Sequence, residues 1–366
     1  MVKNFTVSIE WEMLKKDFMR EMGKCIRKMH NQFYISEYKE YIHVYQDEII
    51  NTFKSFLNIK HCLMAQTGTQ ALMIAMRSVG VKNGDEVITT VYTGIPTISA
   101  IRLIGAKPVF VDIKKDTWNI DENKIEEKIT NKTKAILPVD MLGNPCNYDK
   151  INEIGKKYNI PIVEDLCQAF TAEYHGKKLG NVGCDIACTS FGSGKTFGTM
   201  GQGGAIFTNN DKLAKMCESM IDYGSDDKNN CVSIGYSGDI DFMEIIYLYC
   251  KLKYLKNNLQ YRNNIINIYK RMKNVEWQEQ EPNSISAWCK PQVIFKDKHS
   301  LNVARQFFEL DDFFSYDICD NEIYNYGRKD TPISNYISHK TIGLPMYPFI
   351  NEKIINNAVN DYNLLV

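Results

Sequence analysis

From His61 onward the chain arranges its apolar residues in blocks. The runs His61–Ala65, Glu86–Thr90, Pro108–Ile113, Thr133–Asp140, Ile160–Leu166, Ile186–Phe191 and Gly203–Thr208 are short and largely apolar. Runs of this kind predict strands buried on both faces. Between them Thr69–Val79, Thr97–Ile104, Asp121–Ile129 and Tyr148–Tyr158 read as helices, with Gly80, Gly84, Gly105 and the polar cluster 130–133 marking the boundaries. Strand and helix alternating at this length predict an α/β fold with a mostly parallel seven-stranded sheet covered on both faces. Residues 1–55 read as helical, with Trp11, Leu14, Phe18 and Met22 on one stripe. After about residue 235 the pattern changes. Leu248–Met272 reads as one long basic helix, followed by a short strand at Pro291–Phe295 and further helices. The expected division is therefore 1–235, an N-terminal arm and large domain, and 236–366, a smaller α+β C-terminal domain. Neither an internal repeat nor a low-complexity linker interrupts the chain.

Composition narrows the classes of partner. With 366 residues, two cores are the natural expectation. Forty-four basic residues balance 44 acidic ones, which argues against nucleic acid or an anionic membrane held by bulk charge. The eleven cysteines are scattered through apolar runs, and the pair Cys184 and Cys188 lacks the spacing of a zinc knuckle. A reducing compartment fits that usage. The N-terminal residues have no apolar signal core, and the longest apolar run, near Met243–Cys250, is too short to span a bilayer. A cytoplasmic protein is expected. The six histidines show no ligand spacing, so no metal site is expected.

The candidate chemistry lies in Thr189–Gly204. One lysine, Lys195, sits in a loop of small residues between two strand-like runs. Gly194-Lys195-Thr196 matches the tail of a phosphate-binding P-loop, but Thr189 stands where that motif needs glycine. Upstream, Ile162-Val163-Glu164-Asp165 closes an apolar run on a carboxylate. A lysine in a tight loop beside a strand-end acid suits Schiff-base chemistry on pyridoxal phosphate: the amine condenses with the aldehyde, and the acid keeps the ring nitrogen protonated. Asp165 could equally cap the next helix, and Gln168 could hydrogen-bond the phenolic oxygen or cap. Thr67-Gly68-Thr69 opens a helix whose N–H groups suit a phosphate, or form an ordinary N-cap. Ser190 could reach the same phosphate. Gly201-Gln202-Gly203-Gly204 precedes a strand, so it reads as a tight turn beside the lysine and not as a dinucleotide fingerprint.

Six stretches carry a resemblance: Thr67–Leu72, Gly84–Ile88, Gly105–Ile113, Thr133–Val139, Val163–Ala169 and Ser190–Gly204, with Leu344-Pro345-Met346-Tyr347-Pro348 near the end. In order and spacing the chain resembles the DegT/DnrJ/EryC1/StrS aminotransferases, a fold-type-I group using pyridoxal 5'-phosphate that mostly aminates keto sugars carried on nucleotides. The resemblance implies that Lys195 carries the cofactor, Asp165 partners the ring nitrogen and Gln168 contacts the phenolic oxygen. Gly68, Thr69 and Ser190 would hold the phosphate. It also implies a homodimer with shared active sites. The implied reaction moves an amino group from glutamate or glutamine to a keto sugar, for surface polysaccharide or secondary-metabolite biosynthesis. Two departures stand out. Gly94 occupies the position of the family's stacking aromatic, so either Tyr92 supplies the ring or the stacking is lost. Ser237, Gly238 and Asp239 stand where the family has Asn-x-Arg, which removes an anion clamp. The resemblance implies that this segment reaches the cofactor phosphate or substrate of the partner subunit, where Asp239 is expected to line the acceptor pocket, with basic residues of the helix after Lys251, or Arg262, holding any phosphate. The departures keep two alternatives open: transfer to a small keto-alcohol phosphate or a cyclitol, and a catalytically silent scaffold.

Overall fold

The computed structural model describes residues 1–3, 7–31, 35–226, 228, 230–311, 330–347 and 350–366. Two long helices open the chain, α1 (Val7–Asn31) and α2 (Ile35–Leu57). The α/β region follows: β1 (His61–Ala65), α3 (Gly68–Ser78), β2 (Glu86–Thr90), α4 (Ile95–Leu103), β3 (Lys107–Val111), β4 (Thr133–Ile136), α5 (Tyr148–Tyr158) and β5 (Val163–Asp165). A small hairpin, β6 (Glu173–Tyr174) and β7 (Lys177–Lys178), precedes β8 (Ile186–Ser190), β9 (Gly204–Thr208) and α6 (Asp211–Ile221).

Two hydrogen-bonded sets, β1-β9-β8-β5 and β3-β2-β4, are joined by parallel bridges Ile136↔Ile162 and Val139↔Asp165. The result is one seven-stranded sheet, ordered β1-β9-β8-β5-β4-β2-β3, in which only β9 runs antiparallel. The expected mostly parallel α/β sheet is thus present. Strands β1, β2, β8 and β9 are buried almost throughout, as their apolar content requires, while the edge strand β3 is only partly covered.

The second half adds α7 (Phe242–Lys251), α8 (Leu255–Tyr269), β10 (Val275–Trp277), β11 (Ser284–Ile285), β12 (Gln292–Phe295), α9 (Lys298–Phe307), α10 (Pro332–Lys340), β13 (Thr341–Gly343) and α11 (Glu352–Leu365). Strands β10, β12 and β13 form an antiparallel sheet with its own core, including Tyr269, Trp288, Val303 and Tyr362. Val2 belongs to that core: its N–H donates to Phe307 O at 2.6 Å. Helix α7 packs the other way. Its Ile245–Leu248 segment is buried in the large core with Leu14 and Phe18 of α1 and Ile49 and Phe53 of α2.

Two expected helices differ. Asp121–Ile129 forms two 3-10 turns, Glu122–Lys124 and Glu126–Lys128. The Glu122 carboxylate is buried and paired with Lys114, and that tertiary tie outweighs the weak preference of nine residues for an α-helix. Leu248–Met272 is not one helix: a 3-10 turn at Leu252–Tyr254 separates α7 from α8, because the two halves serve different cores. Pro348 of the expected closing motif lies outside the described residues.

Candidate active site

At the carboxyl ends of β5 and β8 lies a cavity of about 220 Å³. Six of the seven site residues expected from sequence line it: Gly68, Thr69, Asp165, Gln168, Ser190 and Lys195. The seventh, Tyr92, does not. Its ring is buried in the core and its hydroxyl donates to Gln292 Oε1 at 3.1 Å. Thr93 and Gly94 line the cavity in its place, so no aromatic ring faces it among the described residues.

Each functional side chain is set by a local device. The loop after β8 folds back on itself: the Lys195 N–H donates to Gly192 O (3.1 Å), and the Gly198 N–H to Lys195 O (3.3 Å). Gly194 has φ +89°, a left-handed conformation that costs glycine little. The Gly201–Gly204 turn runs beside this loop, with Ser193 N–H donating to Gly201 O at 3.1 Å and Phe191 N–H to Gly203 O at 2.8 Å. That turn brings Gln202 to the cavity wall.

Asp165 ends β5 and is buried. Its Oδ2 accepts from Thr97 Oγ1 at 2.8 Å, and Thr93 Oγ1 donates to Thr97 Oγ1 at 2.9 Å. Its Oδ1 accepts from the Cys167 N–H at 3.1 Å. A buried carboxylate is costly unless hydrogen-bonded or paired, and these donors fix its orientation toward the cavity. Gln168 Oε1 accepts from the Leu142 N–H at 2.9 Å, which orients the amide with its NH₂ as the donor end.

The third wall is the start of α3. Thr67 caps it by accepting the Gln70 N–H at 3.0 Å, and Gly68 and Thr69 contribute the first-turn N–H groups at the positive end of the helix dipole. Close approach explains the glycine: a Cβ at Gly68 would lie 2.5 Å from Ser190 Cβ. This glycine cradle, a helix N-terminus, a lysine and a buried carboxylate around one small cavity fit a flat, anionic, nitrogen-containing ring such as pyridoxal phosphate. Thr97, Gln202 and Cys167 were not expected from sequence. Thr97 carried a signal, a hydroxyl four residues after Thr93 at a helix start; Gln202 carried none.

The segment 237–239 is not at this cavity. Asp239 is exposed, while Gly238 O accepts from Gln66 N–H at 2.8 Å and the Gly238 N–H donates to Ile221 O at 2.9 Å. One cation expected to hold phosphate, Arg262, is engaged elsewhere, and so is Lys251, after which the other candidates follow. Arg262 is buried and donates to Trp288 O at 2.9 Å; Lys251 is buried and donates to Gly198 O at 2.7 Å. Among the described residues no cluster suited to a metal ion occurs, and no helix is long and apolar enough to cross a membrane.

The model of the DegT/DnrJ/EryC1/StrS aminotransferase family matches residues 26–362. The chain belongs to that family. It is a pyridoxal-phosphate-dependent aminotransferase. It is 32% identical over 309 residues, 83% of this chain and 86% of the other, to the UDP-2-acetamido-2-deoxy-3-oxo-D-glucuronate aminotransferase of Pseudomonas aeruginosa. It is 33% identical, covering 87% and 89% of the two chains, to the dTDP-3-amino-3,6-dideoxy-alpha-D-galactopyranose transaminase of Aneurinibacillus thermoaerophilus. In fold, a DegT DnrJ EryC1 StrS aminotransferase from Brucella abortus superposes with a TM-score of 0.85, at 21% identity and covering 97% of this chain and 96% of that one.

Proposed function

We propose that this aminotransferase moves an amino group from glutamate or glutamine to a keto sugar carried on a nucleotide. The observation that supports it is the joining of the Lys195–Asp165 cavity to relatives named as UDP- and dTDP-sugar aminotransferases along most of their length.

When bound, pyridoxal phosphate supplies an aldehyde carbon and a ring that spreads negative charge. Lys195 Nζ is the amine that would hold it, and once released the same Nζ would take the proton from the donor Cα and hand it to the cofactor carbon that keeps the nitrogen. The Asp165 carboxylate, fixed by Thr97 and Cys167, keeps a proton on the ring nitrogen. Gln168 donates to the phenolic oxygen, held in position by Leu142. Gly68, Thr69 and Ser190 receive the phosphate at the dipole of α3.

Lys195 is the only basic side chain among the described residues lining the cavity. That shortage of cations supports a homodimer in which a second copy completes the phosphate and substrate sites. Such obligate interfaces bury about 2,000 Å² or more. Sedimentation should give a dimer across the working concentration range.

The deciding experiment is a half-reaction screen. The cofactor is loaded with amine from glutamate or glutamine, and discharge is followed in the absorbance spectrum against keto sugars with and without nucleotide, keto-alcohol phosphates and keto cyclitols. Fast discharge by nucleotide-linked keto sugars is expected. Discharge by the small phosphates or cyclitols alone would overturn the reading.

A further inference from the structure

The loop that carries Lys195 is gripped from behind by side chains of the second half of the chain. Lys251, the last residue of α7, is 3% exposed and donates to Gly198 O at 2.7 Å. Its amine also forms an ion pair with Glu10 of α1, itself 5% exposed, and lies 5.3 Å from the centre of the Phe197 ring. Seven residues along, Asn258 Nδ2 donates to Thr196 O at 3.1 Å, while its Oδ1 accepts from Arg262 Nε at 3.2 Å. Glu244 Oε2 accepts from the Gly201 N–H at 3.3 Å on the far side of the loop.

Two carbonyls within three residues of Lys195 are therefore held by long polar side chains, one of them a buried cation. A buried ammonium is unfavourable unless paired, so burial pushes the Lys251 amine down and Glu10 opposes that shift. A hydrophobic side chain of similar volume would fill the same space without that cost. What it would not do is hold the Gly198 carbonyl, and through it the loop that carries Lys195.

We propose that Lys251, locked by Glu10 of the N-terminal helix, is a positioning residue for Lys195. It ties α1 and α7 to the backbone just beyond the reactive amine, and Asn258 supplies the second tie. The idea rests on the reading of Lys195 as the cofactor-holding lysine. Displacement of a reacting group by about 1 Å costs on the order of a hundred-fold in rate, so a loosened loop has a kinetic cost out of proportion to its effect on stability.

The test uses the full-length holoenzyme and three variants, Lys251→Met, Asn258→Ala and Glu10→Gln. Asp112→Asn serves as a control, because Asp112 anchors α10 by accepting from the N–H groups of Ile333 and Ser334, away from the loop. Four readouts are taken: Tm, kcat and KM for each half-reaction, the pH titration of the lysine-linked chromophore, and the rate of borohydride trapping at Lys195. Lys251→Met is expected to lower kcat about ten-fold or more in both half-reactions with KM little changed. Its chromophore titration should move by about half a pH unit or more. Asn258→Ala and Glu10→Gln should move both in the same direction by less. The control should lower Tm and leave the chromophore where it was. If Lys251→Met does not fold, Asn258→Ala decides. The proposal is overturned if the folded variants lower Tm but keep kcat within about two-fold and the chromophore unmoved. An adduct of the wild type that maps to a lysine other than Lys195 would instead remove the underlying reading.

Discussion

Two carboxylates close neighbouring strands of the same sheet, and the molecule uses them differently. Asp165 ends β5; Asp140 follows β4, and its N–H donates to Asp165 O at 3.1 Å. Both are buried and each accepts two hydrogen bonds. Asp140 takes them from the Cys146 N–H (2.8 Å) and the Tyr148 hydroxyl (2.7 Å), both in the segment that follows it. Asp165 takes one of its two from Thr97, and it also lines the cavity with Lys195. The number of partners does not separate them; access does. Burial without access pushes the Asp140 carboxyl up to about 7. A strand-end acid becomes a candidate catalytic group when its neighbours leave one side of it open to a ligand.

The sharpest way to break that comparison is to remove the lysine on the open side. Lys195→Ala should lose the lysine-linked chromophore and about a thousand-fold or more in turnover, read by absorbance and a coupled assay. Asp165→Asn comes next. It is nearly isosteric, so the fold and much of the cofactor binding should persist, while both half-reactions slow by about a hundred-fold, as single-turnover absorbance would show. Gly68→Ala should then weaken cofactor affinity by about ten-fold, measured by equilibrium dialysis, because the new methyl meets Ser190.

Asp140→Asn should have the smallest effect on turnover, within about two-fold. Its signature is in stability. The folded carboxyl keeps its proton up to about 7, whereas the unfolded one releases it near 3.8. The folded state thus binds more protons in that window, and wild-type stability falls as pH rises from about 4 to about 7. The Asn variant lacks this slope, so denaturant unfolding should find it gaining relative to wild type as pH rises from about 4 to about 7. A turnover loss equal to that of Asp165→Asn would break the comparison.

The large domain was legible because its signals are local. β1 and β2 begin and end where their apolar runs do, and α5 matches its stretch residue for residue. That Lys195, Asp165, Gln168, Gly68, Thr69 and Ser190 gather at one cavity was legible because each stands next to a strand end or helix start, where a parallel sheet gathers its ligand contacts. Tyr92 failed for the opposite reason. Its partner Gln292 is 200 residues away, and nothing near Tyr92 says that the ring turns into the core. The surroundings of Asp239 and Arg262 are set in the same way by distant elements, and neither residue lines this cavity. The break between α7 and α8 carries no glycine or proline; it is set by two cores pulling one helical sequence in two directions.

The central claim is that the cavity between β5, β8 and α3 holds the cofactor on Lys195. Borohydride reduction of the purified holoenzyme followed by peptide mass spectrometry tests it most directly. The account predicts a single pyridoxyl-phosphate adduct on the peptide containing Lys195; an adduct on any other lysine, or none from a protein that shows the chromophore, would contradict it.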